Sequence, residues 1–207
     1  MNKRALLVGI TGGIGAGKSI VARIFTLLGV PFYAADDRAK VLMQTDEALR
    51  EGIQAAFGRE AYTSAGELNR AYLAATVFHD EAATKRLNGL VHPAVGRDFS
   101  AWSEAHQAHP YVLKEAALLV ESGSYKELDS LILVKSPLVV RINRILARDP
   151  QRDLKQINAI IDRQLPDEEK ARFAEFIIKN TDQKALIPQV LTVDAQLRKK
   201  AAERISL

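Results

Sequence analysis

Cysteine is absent from this 207-residue chain, which excludes a disulfide framework, a thiolate metal site and a thiol nucleophile. A cysteine-free composition fits an intracellular, cytoplasmic protein. Aromatic residues make up only 6% of the sequence, and basic residues exceed acidic ones by a small margin, 29 to 25, with both signs mixed along the chain. A nucleic-acid binder of this size would carry a dense Lys/Arg run interleaved with aromatics, so no DNA or RNA partner is expected. The net charge of +4 favours small anionic ligands only weakly. No apolar run approaches the roughly 18 residues that a membrane-spanning helix requires. Lys3 and Arg4 do precede an apolar stretch, residues 6–10, but it is short and runs straight into glycines, unlike a signal peptide. No membrane partner is expected.

What the chain does contain points to an α/β fold. Its hydrophobic content, 47%, supplies apolar surface for a sizeable core, and its length suits one main domain with insertions. Short apolar runs over 5–10, 30–33, 111–114, 130–134 and 175–179 alternate with longer stretches of helical period, the pattern of parallel strands joined by crossover helices. After the first strand and a glycine loop, Ile20, Val21, Ile24, Phe25 and Leu28 mark the inner face of a helix that stops at Gly29. Helical patterns then replace strand signals over 39–43, 47–57, 68–78 and 82–91. The pair His92 and Pro93 is expected to end the last of these, because a residue before proline is pushed out of helical geometry. A charge-rich stretch, 148–166, reads as an irregular, mobile lid, and 185–207 as one amphipathic helix. The expected organisation is a core over about 1–38, 110–147 and 167–207, a helical insertion over about 39–109 and a lid over about 148–166.

Gly12, Gly13, Ile14, Gly15, Ala16, Gly17, Lys18 and Ser19 match the phosphate-loop pattern G-x-x-x-x-G-K-[ST], between a strand and a helix, where that pattern functions. The glycines let the backbone wrap a phosphate with its N–H groups inward, and the helix beginning near Lys18 adds the positive end of its dipole. Lys18 supplies positive charge for the outer phosphates, Ser19 a hydroxyl for Mg2+, and Ile20 a backbone N–H. The expected ligand is a nucleoside triphosphate with its magnesium ion. A dinucleotide-type glycine loop would leave Lys18 and Ser19 unexplained, and no acidic residue ends the second strand as ribose binding expects. A guanine-nucleotide switch calls for N-K-x-D, and the nearest string, Lys179, Asn180, Thr181, Asp182, has the wrong order.

Asp36, Asp37 and Arg38 follow the second strand, at the sheet edge where open parallel folds place their ligands. A carboxylate there can orient an acceptor hydroxyl and take its proton during phosphoryl transfer, although Asp is also a good helix cap. Arg141, Arg144 and Arg148 recur at helical spacing, with Arg152 and Arg163 in the lid stretch. Such arginines either neutralise transition-state charge or form a solvated face paired to Asp149 and Asp153. A lone His92 carries a structural reading beside any functional one. Glu121, after apolar residues 117–120, stands at a cleft edge or on ordinary helix surface.

Taken in order, these pieces resemble the dephospho-coenzyme A kinase family. The resemblance is carried by Thr11 through Ser19 as T-G-G-I-G-A-G-K-S, Ala35 and Asp36 followed by Ala39, His92 with Pro93, Leu118 and Leu119 with Glu121, Arg144 with Arg148 and Asp149, Gln164, and Asn180. This ordered set covers almost the whole chain. It implies a three-layer P-loop kinase fold with a five-stranded parallel sheet in the order 2-3-1-4-5, ATP and Mg2+ on the donor side, and the 3′-hydroxyl of dephospho-coenzyme A as acceptor. By the same resemblance Asp36 is the catalytic aspartate, Lys18, Arg144 and Arg148 stabilise phosphoryl charge, and the loop near Asn180 binds the base. His92 and Glu121 fall on the acceptor side, the insertion is the acceptor-holding lobe, and 148–166 is the lid. Three positions depart from the family's pattern: Ala34 replaces an aspartate, Ile20 a threonine and Ala117 a proline. Asp36, Lys18 and Ser19 are intact, so an active enzyme is expected.

Overall fold

The computed structural model describes residues 4–78, 80–181 and 183–205; Lys3 and Asp182, singled out above, lie outside the described residues. Along the chain run β1 (Leu6–Thr11), α1 (Lys18–Leu27), β2 (Phe32–Ala34), α2 (Ala35–Thr45), α3 (Glu47–Phe57), α4 (Arg70–Phe78), α5 (Glu81–Ala105), β3 (Tyr111–Glu115), β4 (Ser130–Lys135), α6 (Leu138–Arg148), α7 (Leu154–Ile161), α8 (Asp167–Lys170), β5 (Phe176–Lys179) and α9 (Leu186–Ile205). Two compact units emerge, one built from the segments up to Ala34 and from Ser103 onward, the other from Ala35–Trp102.

In the first unit, five strands among the described residues pair in parallel in the order β2-β3-β1-β4-β5. Strand alternation sends Leu6, Val8 and Ile10 of β1 to one face, where Val21 and Phe25 of α1 and Val190, Val193 and Leu197 of α9 complete the core. On the opposite face Leu119, Val120 and Leu131 pack with Leu128 and Leu165. Gly9 faces this second cluster, with methyl carbons of Leu128 and Leu131 only 2.6 and 2.8 Å from where a Cβ would stand, so any side chain would force them apart. Burial on both faces explains why β4 is an unbroken apolar run, Leu131 to Val134, rather than an alternating one.

Two expectations for this unit need correction. Ile20 is 58% exposed, and Ala22 stands in its place on the inner face of α1. The buried stripe is centred on Val21 and Phe25, one turn apart, and Ile20 lies about 100° off it at 3.6 residues per turn. The stretch 148–166 is also not irregular throughout, because it contains α7. That helix opens with a capping box in which Asp153 Oδ1 accepts from the Gln156 N–H at 2.7 Å and Gln156 Oε1 accepts from the Asp153 N–H at 3.2 Å. Its Ile157 is fully buried.

The unit Ala35–Trp102 is helical. Leu49, Ile53 and Phe57 give α3 a buried stripe at i, i+4 and i+8. The Tyr62 hydroxyl donates to the Met43 carbonyl at 2.6 Å, the Tyr72 hydroxyl donates to that of Phe57 at 2.8 Å, and the Arg50 guanidinium lies 4.6 Å above the Tyr62 ring. Contrary to expectation, the His92 and Pro93 pair does not end a helix: α5 runs through it from Glu81 to Ala105. Proline deletes one backbone bond, to the carbonyl of residue 89, but Gly89 and Pro93 are both exposed, where water can replace it. The buried face of Val91, Ala94, Val95 and Phe99 keeps the helix continuous across the gap.

Restoring that bond should stabilise the protein. Pro93→Ala is expected to raise the unfolding free energy in urea by about 1–2 kcal/mol, the interior-helix penalty of proline less its restriction of the unfolded chain. An unchanged or lower midpoint would mean that α5 is already built around the proline.

Candidate active site

Parallel pairing brings the C-terminal ends of β1, β4 and β5 to one edge of the sheet, and the segments leaving them form the site. From β1, Gly12 turns the chain beside β4; a Cβ there would collide with the Val134 carbonyl oxygen. Gly17, at φ +90°, is the N-cap of α1, supplies no side-chain acceptor, and is followed by a first turn without acidic residues. The leading N–H groups of a helix have no intrahelical acceptor, so this uncapped end favours an anion.

The loop's alternate carbonyls face donors. Gly12 O accepts from Lys18 Nζ at 3.0 Å, Ile14 O from Arg141 Nε at 2.9 Å, and Ala16 O from Asn180 Nδ2 at 2.8 Å. The Ile14 N–H donates to Gln164 Oε1 at 2.9 Å. Arg144 reaches the Asn180 carbonyl, its Oδ1 and the Ser136 hydroxyl, all at 3.4 Å. Side chains from α6, the end of β5 and the segment after α7 thus converge on a backbone that glycine alone would leave loose.

The three arginines of α6 separate. Arg141 is buried against the loop, Arg144 is partly buried beside Asn180, and Arg148 is exposed with its guanidinium on Asp149 at 3.0 and 2.8 Å. The Arg148 hydrogen bond draws the Asp149 carboxyl below the usual aspartate range. Asn180 is buried with its amide committed to Ala16, so its own side chain clamps the loop rather than presenting itself to a base. Ile20 donates its N–H to the Gly17 carbonyl at 3.1 Å. Ser19 is exposed in the first turn of α1.

Glu121, expected on the acceptor side, is occupied by the protein. Its Oε1 lies 2.8 Å from Lys170 Nζ and accepts from the Leu165 N–H at 3.0 Å. Lys170 is fully buried, Asp167, 3.7 Å from Arg141, is nearly so, and Glu121 is partly buried. Burial pushes the Asp167 carboxyl up, against the pull of Arg141 and Lys170. Sequence reasoning named Arg141 as a phosphate-neutralising or solvated arginine, not as a buried brace of the loop, and it missed Asp167 and Lys170 as site-shaping residues. Arg141 carried a signal in its helical spacing from Arg144; the run Asp167–Lys170 reads as solvated charge and carried none.

In the Ala35–Trp102 unit, Asp36 and Asp37 are exposed in the first turn of α2, directly after β2, and Asp37 pairs with Lys40 at 2.7 Å. His92 is exposed on α5.

A family model described as dephospho-CoA kinase matches residues 6–186. The chain belongs to the dephospho-CoA kinase family. A dephospho-CoA kinase of Bacteroides fragilis is 38% identical over 196 residues, which is 95% of each chain. Among solved structures, a Thermus thermophilus protein superposes with a TM-score of 0.80 at 31% identity, covering 95% of this chain and 98% of its own. Dephospho-CoA kinase from Campylobacter jejuni superposes at 0.69 with 27% identity, covering 94% and 98%. As a member of the family the chain is an ATP-dependent phosphotransferase with the three-layer P-loop kinase fold. Its departure at Ala117 is structurally mild, because the Ala117 carbonyl, which any residue supplies, accepts from the Thr11 hydroxyl at 3.3 Å.

Gly17 has no room for a side chain. Gly17→Ala would put a Cβ into the Asn180 amide at a positive φ, so it is expected to lower stability by roughly 1–3 kcal/mol in urea titrations and to weaken MgATP binding at least about tenfold, the equivalent of 1.4 kcal/mol. Wild-type affinity in that variant would show that the clamp is not needed.

Proposed function

We propose that this kinase transfers the γ-phosphate of MgATP to the 3′-hydroxyl of dephospho-coenzyme A. The observation that carries the reading is the family match over 6–186, which takes in both the phosphate loop and the whole Ala35–Trp102 unit. The backbone of Gly13 through Ile20 receives the triphosphate, Lys18 and Arg144 carry charge toward its outer oxygens, and Arg148 joins them on releasing Asp149. The segment around Asn180 borders the base, with the Asn180 side chain acting through the loop.

Mg2+ fits this donor set. Among the described residues no three carboxylate or imidazole groups converge into a metal cage, which suits an ion held by substrate phosphates and one protein hydroxyl. Ser19, in the first turn of α1, is that hydroxyl. Magnesium supplies charge neutralisation on the phosphates when bound.

Asp36 orients the acceptor hydroxyl and takes its proton as the oxygen attacks in line. Support comes from its place immediately after β2, at the strand end where parallel sheets present ligands. With Ala34 in place of a second carboxylate, Asp36 does this alone. The insertion, about 39–109, holds the acceptor with His92 among its contacts, and 148–166 closes as the lid. No helix among the described residues is long and apolar enough to cross a membrane. The reading includes no membrane or nucleic-acid partner and a cytoplasmic setting.

Incubation with MgATP and dephospho-coenzyme A should add one phosphate to the acceptor by mass spectrometry, with no product when magnesium is omitted. ADP release with AMP, CMP or shikimate in its place should stay at background; preference for any of these would replace the proposed acceptor. Asp36→Asn is expected to lower kcat about 10²–10⁴-fold, the usual weight of a general base, while MgATP affinity changes little. Normal turnover would remove Asp36 from the reaction.

A further inference from the structure

We infer that Gln164 is a positioning residue for the phosphate loop, held in place by the buried Glu121–Lys170 pair. The inference rests on the proposed nucleotide site and is independent of the acceptor.

Ile14 sits between Gly13 and Gly15, the stretch where the loop has most backbone freedom. Its flanking peptides are gripped from outside, with the N–H donating to Gln164 Oε1 and the carbonyl accepting from Arg141 Nε, both at 2.9 Å. The two grips belong to one closed circuit. Leu165, next to Gln164, donates its N–H to Glu121 and packs on Leu119, Val120 and Leu131. Glu121 pairs with Lys170, at the far end of the four-residue α8, whose first residue, Asp167, lies 3.7 Å from Arg141. Arg141 returns to Ile14.

Four side chains of opposite charges are largely withdrawn from water here, with relative exposures of 9%, 7%, 0% and 14% for Arg141, Asp167, Lys170 and Glu121. Glu121 Oε2, Asp167 Oδ1 and Lys170 Nζ lie buried without a hydrogen bond, so Lys170 meets Glu121 as a close ion pair rather than through an aligned hydrogen bond. Buried ion pairs are poor sources of net stability compared with apolar packing, so what they contribute is fixed geometry. The geometry they fix is the approach of Gln164 and Arg141 to the two peptides that flank Ile14. A loop ordered before the ligand arrives does not draw on binding free energy to become ordered.

The test uses the full-length protein and calorimetric titration with MgATP and MgADP, alongside thermal unfolding without nucleotide. Gln164→Ala and the bulk-preserving Gln164→Leu should each raise both dissociation constants about five- to tenfold, the weight of one lost hydrogen bond to a backbone amide, with only a small change in melting temperature. Affinities within twofold of wild type overturn the inference, as does recovery in the leucine variant, which would assign the effect to packing. Tighter binding also overturns it, since Gln164 would then compete with the nucleotide for the Ile14 N–H. Glu121→Gln should weaken binding in the wild type but add little to Gln164→Ala, and additivity would disconnect the buried pair from Gln164. If Glu121→Gln does not fold, the two Gln164 variants decide alone. A wild-type protein that binds no nucleotide would instead sink the proposed function.

Discussion

A backbone that turns its N–H groups toward an anion must turn carbonyls away from it, and those carbonyls need donors of their own. In this chain Gly12, Ile14 and Ala16 meet that need with Lys18, Arg141 and Asn180. The three donors come from the loop itself, from the helix after β4 and from the end of β5. Their convergence requires β4 and β5 to lie on the same side of β1 and to run parallel to it, which is what the order β2-β3-β1-β4-β5 provides. The sheet topology and the phosphate loop are thus two views of one constraint.

Charge placement follows the same logic. Exposed pairs such as Lys85 with Glu81 or Arg148 with Asp149 sit in water and contribute little to stability. Lys170 and Arg141 are buried, where an unpartnered charge would be costly, and each has an acid beside it. Removing one member exposes the other to the full desolvation penalty, so the group tolerates loss of a partner far less well than the surface pairs do. Such intolerance is useful where a loop must adopt one shape.

How much of this was legible in the sequence depended on how local each interaction is. The phosphate loop, the five strands and the inner stripe of α1 around Val21 and Phe25 are written in short windows, and they were found. The capping box of α7 was equally local, Asp153 followed three residues later by Gln156, but a charge-rich setting hid it. Pro93 misled because its local preference against helix was outweighed by burial of Val91, Ala94, Val95 and Phe99. Glu121, Asn180 and Lys170 lie beyond such reading altogether. Their partners are 44, 164 and 49 positions away along the chain, and only folding reveals that a carboxylate or amide suited to a ligand is already engaged by the protein.

The alanine at 34 fits this division of labour. Phosphoryl transfer proceeds through a loose transition state in which the protein forms few bonds and supplies mainly position and charge. A second carboxylate beside the acceptor would add negative charge near a triphosphate that already carries several. In the proposed reaction, rigid amides, an ammonium and arginines would act where the demand is greatest, on the charge spread over the transferring group. On the proposed reaction, a chain that commits Lys18, Arg141, Arg144, Asn180 and Gln164 to the loop and its surroundings would keep what transfer depends on most, and β2, the three-residue edge strand that ends at Ala34, could vary at its tip so long as the carboxylate of Asp36 follows it.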